Sequence, residues 1–124
     1  MLRLAAIACV VVNVGAGLAL AVTRGGILGQ VGVPPPAPLY SDLLAVFLVA
    51  SGLGFVPAVN GTPHQRAYLW VFGVGVKLVA ASLMANLWFS GLVGWLVAVL
   101  AAADAALAAL VLIALMSATS TAKR

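Results

Sequence analysis

The sequence predicts an all-α polytopic membrane protein, a four-helix transmembrane bundle, on three observations. The 124 residues are 65% hydrophobic and only 6% charged, with a mean hydropathy of +1.26. A soluble domain carries about 25% charged residues because its surface must face water. The apolar residues then fall into four long runs, each near the roughly 20 residues that a helix needs to cross a hydrocarbon core about 30 Å thick. Finally, the runs lack the alternation of barrel strands. A helix satisfies every backbone group within its own segment, which an apolar solvent demands.

The first run, residues 4–22, follows Arg3 and contains Cys9 and Asn13. Arg3 and Ala19-Leu20-Ala21 resemble the ends of a secretion signal, but the apolar run between them exceeds a usual signal core, so a retained helix is expected. Cys9 is the single cysteine. It excludes an intrachain disulfide and a CxxC site. A connection follows over residues 23–42, "TRGGILGQVGVPPPAPLYSD". Its glycines predict a flexible first half. Pro34, Pro35, Pro36 and Pro38 predict a stiff, extended second half. Ser41 and Asp42 have the chemistry of an N-cap and first turn for the second helix, residues 43–59.

The turn "NGTPHQR", residues 60–66, is broken by Gly61 and Pro63 and leads into the third helix, residues 67–89. Asn60-Gly61-Thr62 matches a glycosylation sequon, but it lies close to the membrane, precedes a proline and falls on the expected cytoplasmic side. Ser90-Gly91 then predicts a tight hairpin into the fourth helix, residues 92–116. The chain 1–124 reads as a single transmembrane domain.

Arg3, Arg66, Lys123 and Arg124 fall on one side of these spans, and Arg24 alone on the other. An excess of basic residues marks the cytoplasmic face, so both termini are expected in the cytoplasm and the Pro-rich loop outside it. Tyr68 and Trp70 would lie at the inner interface, and Trp88, Phe89 and Trp95 at the outer one. The pI near 10 does not indicate a nucleic-acid partner, because the basic residues form no patch. The expected partner is the lipid bilayer, with a homodimer or larger membrane complex around a bundle this small, and a bacterial plasma membrane as the location.

Two charges interrupt the apolar runs. Lys77 stands 12 residues before Phe89, and Asp104 stands 12 residues after Leu92. At 1.5 Å per residue, both lie about 18 Å from the hairpin. Each unpaired charge costs about 2.5–3.5 kcal/mol at mid-membrane on insertion scales. Equal depth on adjacent helices therefore predicts that Lys77 and Asp104 face each other. Asn13 roughly shares their depth and can join them. Helical spacing puts Trp70, Gly73, Ala80, Ala81 and Met84 on the Lys77 face, and Val97, Leu100, Ala101, Leu107 and Ala108 on the Asp104 face.

Lys77, Asp104 and Asn13 are thus the candidates for a ligand site or proton pathway, since intramembrane ionisable residues mark such routes. The same residues serve equally as a buried ion pair that fixes helix register. No cofactor or metal is expected. His64 is the single histidine, which excludes a bis-histidine haem within one chain. "GVGVK" lacks the third glycine of a dinucleotide loop. Nothing in the chain forms a catalytic triad, so a non-enzymatic accessory or scaffold subunit is the expected role. The alternatives are a proton-coupled small-solute transporter, or a binder or enzyme for a lipid-soluble substrate such as a quinone.

The run "GLGFVPAVNGTPHQRAYLWVFGVGVKL", residues 52–78, followed by Asp104, resembles small four-helix bacterial inner-membrane proteins of the DoxX-like kind. Gly54, Phe55, Pro63, His64, Lys77 and Asp104 occupy the matching places. Ala105 and Ala106 stand where that pattern carries tryptophan. The resemblance implies a four-helix membrane fold and an association with respiratory or redox systems.

Overall fold

The computed structural model describes residues 1–24, 26–30, 32–34, 38–59 and 66–121. Among them every regular element is helical: α1 (Leu2–Val22), α2 (Gly26–Gln30), α3 (Pro38–Leu53), α4 (Val56–Val59), α5 (Arg66–Tyr68), a π-helical segment (Leu69–Val76), α6 (Lys77–Phe89) and α7 (Trp95–Thr121). These build four helical rods long and apolar enough to cross a membrane: Leu2–Val22, Pro38–Val59, Arg66–Phe89 and Trp95–Ala118. The third has the lowest mean hydropathy, 1.7, and it is the rod that carries Lys77. Leucines, valines and phenylalanines cover the outer surface. Such a surface suits hydrocarbon, and its extent far exceeds what a monomer in water exposes.

α1 packs along α3, and α6 along α7. The first pairing works because two glycines let backbones meet. A Cβ on Gly17 would come within 2.9 Å of the Ala45 carbonyl oxygen, and one on Gly52 within 3.0 Å of the Val14 nitrogen. Small residues at such crossings are the usual route to close helix approach where lipid gives no hydrophobic driving force. α1 also meets α7 and the π segment, which joins the two pairs. The buried core sits at the end that carries both termini: Ala5, Ala6 and Cys9 of α1, Phe55 and Ala58, Leu69, and Val111, Ala114 and Leu115 of α7.

Three features differ from the expected boundaries. α3 begins at Pro38 rather than at residue 43, so Ser41 and Asp42 lie inside the helix and not at its cap; Ser41 is buried against the bundle. Proline at the first helical position costs nothing, since its missing N–H would be an orphan there anyway. The connection after α1 is not wholly flexible, because α2 forms within it and closes with Gly32 at φ 75°, its N–H bonded to the Gly29 carbonyl and that of Val33 to the Leu28 carbonyl. The hairpin between α6 and α7 is longer than Ser90-Gly91. α6 ends with Gly91 at φ 70°, and the N–H groups of Gly91 and Leu92 reach back to Trp88 and Leu87, the Schellman arrangement that stops a helix. α7 starts only at Trp95. The predicted turn over residues 60–65, including His64 and the sequon, lies outside the described residues.

The second rod breaks between α3 and α4. Pro57 has no N–H to give the helix ladder, and the Phe55 N–H bonds to Gly52 rather than to Ser51. That leaves the Ser51 carbonyl without its helical donor. The Tyr68 hydroxyl donates to it at 2.7 Å. Tyr68 is therefore turned into the bundle, edge-on to Phe55 and stacked on Phe72.

Candidate functional site

Lys77 is the first residue of α6, at the point where π winding gives way to α winding. A π-helix bonds i→i+5 and so holds more residues per turn than an α-helix. The residues before Lys77 are consequently rotated from their α-helical places. Trp70, seven residues earlier, would share the Lys77 face in an unbroken α-helix. It is instead 48% exposed, and Leu69 is fully buried in its stead. Gly73 keeps its inward place and passes against Val111, whose Cγ1 would be 2.9 Å from a Cβ there.

The Lys77 ammonium lies 2.7 Å from Asp104 Oδ1 on α7 and donates a second hydrogen bond to Asn13 Oδ1 on α1 at 3.1 Å. Asn13 uses both ends of its amide, because its Nδ2 donates to Ser51 Oγ on α3 at 3.3 Å. The Ser51 hydroxyl donates in turn to the Leu48 carbonyl at 3.0 Å. One polar side chain from each of the four rods thus enters a single chain of hydrogen bonds, half-way along the bundle. Lys77, Asn13 and Ser51 are buried. The structure brings together all three residues singled out from sequence: Lys77, Asp104 and Asn13.

Ser51 is the member that sequence reasoning missed. A lone serine in a helix ordinarily bonds its own i−3 or i−4 carbonyl and signals nothing, and Ser51 does that as well. Its neighbour Gly52 was the available clue. The missing Cβ there lets α1 approach until Asn13 and Val14 touch the α3 backbone.

The donors run outward from Lys77, to Asp104 on one side and through Asn13 to Ser51 on the other. Two of its three N–H groups are used within the network. The pair is asymmetric in burial: the Lys77 side chain is 6% exposed and that of Asp104 is 23% exposed. Asp104 Oδ1 takes the ammonium. Among the described residues no three His, Cys, Asp or Glu side chains are grouped to hold a metal ion. No family model, no curated protein and no solved structure matches the chain.

Proposed function

We propose that this chain is a small multi-pass protein of a bacterial plasma membrane, and that it acts as a non-enzymatic accessory or scaffold subunit. The observation that carries the reading is the clasp of Asp104, Lys77, Asn13 and Ser51, one side chain per rod. Interhelical hydrogen bonds in lipid contribute only on the order of 0.6–2 kcal/mol each. A charge pair inside such a chain has a larger effect on specificity, because a wrong rotation of the third or the fourth rod leaves a charge unpaired in hydrocarbon. A clasp of this kind fixes register among four helices whose surfaces are otherwise nearly uniform alanine, valine and leucine. A scaffold needs that fixed shape and no reacting group. The DoxX-like resemblance belongs to the same proposal and adds a respiratory or redox setting for the partner.

The test uses a tagged copy expressed in place of the native one. Both termini should report a cytoplasmic location in reporter fusions, and the protein should fractionate with the plasma membrane. The double variant Lys77→Met with Asp104→Leu should accumulate, recover the same membrane partners and support the same phenotype as the parent. A double variant that folds and accumulates but loses the phenotype would contradict a scaffold role and assign the charges to transport or ligand chemistry.

A further inference from the structure

Two ties hold the third rod, and both end on Ser51. Toward the start of the rod, the Tyr68 hydroxyl donates to the Ser51 carbonyl at 2.7 Å. Gly54 leaves the space that the Tyr68 ring fills, since a Cβ there would collide with the ring. Half-way along the bundle, Lys77 donates to Asn13 at 3.1 Å, and Asn13 donates to the Ser51 hydroxyl at 3.3 Å. Asp104 secures the same ammonium at 2.7 Å. The residues between the two tied positions, Leu69–Val76, are the π-helical segment.

The match between ties and winding has a geometric cause. Tyr68 and Lys77 are nine residues apart. An α-helix turns once in 3.6 residues, so nine residues make about two and a half turns and put the two side chains on opposite faces. Both are nonetheless turned into the bundle. Nine residues must then complete about two turns, which requires about 4.5 residues per turn instead of 3.6. That is the wider winding in which N–H groups bond i→i+5. Trp70 and Val79, also nine apart, show the same relation on the outside, being 48% and 60% exposed. π winding is rare, is mostly confined to a single turn, and recurs at functional sites.

We propose that Leu69–Val76 is a two-position switch, π-wound while both ties hold and α-wound when either is released. Release turns one end of the rod against the other by about half a turn. Withdrawal of Lys77 from the clasp is thereby felt at Tyr68, near the end of the bundle that carries both termini, and loss of the Tyr68 bond is felt at Lys77. A segment whose winding both positions bias is the physical element that coupling between two places requires. The inference goes beyond the scaffold role: the clasp that fixes register among the rods also sets the winding of one of them.

The test is the distance between nitroxide labels at Trp70→Cys and Val79→Cys, in a Cys9→Ala background of the full chain in phosphatidylcholine bilayers. Both sites face outward, so the labels leave the ties alone. Labels on one face of the rod lie within about 14 Å, the α-helical rise over nine residues; on opposite faces of an α-helix about 11 Å wide they lie about 17 Å apart. Dipolar broadening should give the shorter distance in the parent, and Val71→Ala, which touches neither tie, should keep it. Tyr68→Ala cuts the first tie, and Lys77→Met with Asp104→Leu cuts the second. Each should lengthen the distance by about 3 Å or more while helical circular dichroism is retained. A parent already at the longer distance would overturn the proposal. So would a folded release variant that keeps the shorter one, because the winding would then belong to the segment and not to its ties. Unfolding of both release variants would overturn it as well, since a switch needs a stable α-wound position.

Discussion

Removing one partner of the Lys77–Asp104 pair should cost far more than removing both. The Lys77 ammonium is almost wholly buried and holds both Asp104 and Asn13. Taking one member from a buried pair costs about 3–5 kcal/mol, because the survivor is left charged without a partner, whereas replacing both by apolar groups is often neutral. The burial asymmetry orders the two single variants. Lys77→Met strands a carboxylate that is 23% exposed, which places it near 3 kcal/mol; Asp104→Leu strands an ammonium that is 6% exposed, which places it nearer 5 kcal/mol. The double variant loses chiefly the bond to Asn13, on the order of 1 kcal/mol. The coupling energy between the sites that follows from these costs is about 7 kcal/mol, well above the roughly 0.5–3 kcal/mol usual for residues in contact. Reversible unfolding of all four proteins in bicelles, followed by steric trapping, measures it. Ordinary interhelical hydrogen bonds in lipid average about 0.6 kcal/mol. Single-variant costs that add to within about 0.5 kcal/mol in the double variant would refute a charge pair and leave a conventional hydrogen bond.

Other consequences are local. Gly17→Leu should split α1 from α3, since even a Cβ there meets Val49 Cγ2 at 2.7 Å and the Ala45 carbonyl at 2.9 Å; a loss of at least 1–3 kcal/mol, typical of overpacking, should appear as a lower Tm in detergent. Tyr68→Phe removes the donor that satisfies the Ser51 carbonyl and should cost roughly 1–3 kcal/mol, the penalty for an unsatisfied buried group, while Gly54→Ala should do at least as much by pushing the Tyr68 ring away. Deleting Val71 should convert the π segment to α winding and rotate Lys77 away from either Asp104 or the Leu69 core; the variant should be destabilised by more than Val71→Ala, and its Lys77→Met derivative should show little further loss.

The four rods were legible because their signal is composition over about 20 residues, which no single residue can overturn. The depth match of Lys77 and Asp104 was legible for a related reason: rise per residue is the same in every α-helix, so distance from a hairpin counts residues. The hairpin proved longer than expected, with α7 starting at Trp95, yet Gly91 and its Schellman turn keep the two helices adjacent and the residues still meet. Rotation was harder to read. Trp70 was placed on the Lys77 face by α-helical spacing, and the π segment moved it outward. No residue type marks a π turn, so periodicity alone assigns the wrong face. Ser51 and Tyr68 escaped for another reason. Ser51 joins the clasp by its hydroxyl, which Gly52 lets Asn13 reach, while Tyr68 bonds the Ser51 carbonyl freed at the break near Pro57, a backbone acceptor that the sequence does not single out.

Lys77 and Asp104 touch inside the four-helix bundle. The chain has only two lysines and two aspartates, so selective labelling resolves the contact. Protein carrying 15Nζ-lysine and 13Cγ-aspartate, in an Asp42→Asn background and reconstituted in lipid bilayers, should show the nitrogen–carbon dephasing of a direct ion pair in solid-state NMR, in keeping with the 2.7 Å N–O distance, and Lys77→Met should abolish it. Absence of dephasing in the folded protein in bilayers, or dephasing that survives Lys77→Met, would contradict the ion pair and with it the clasp of the four rods.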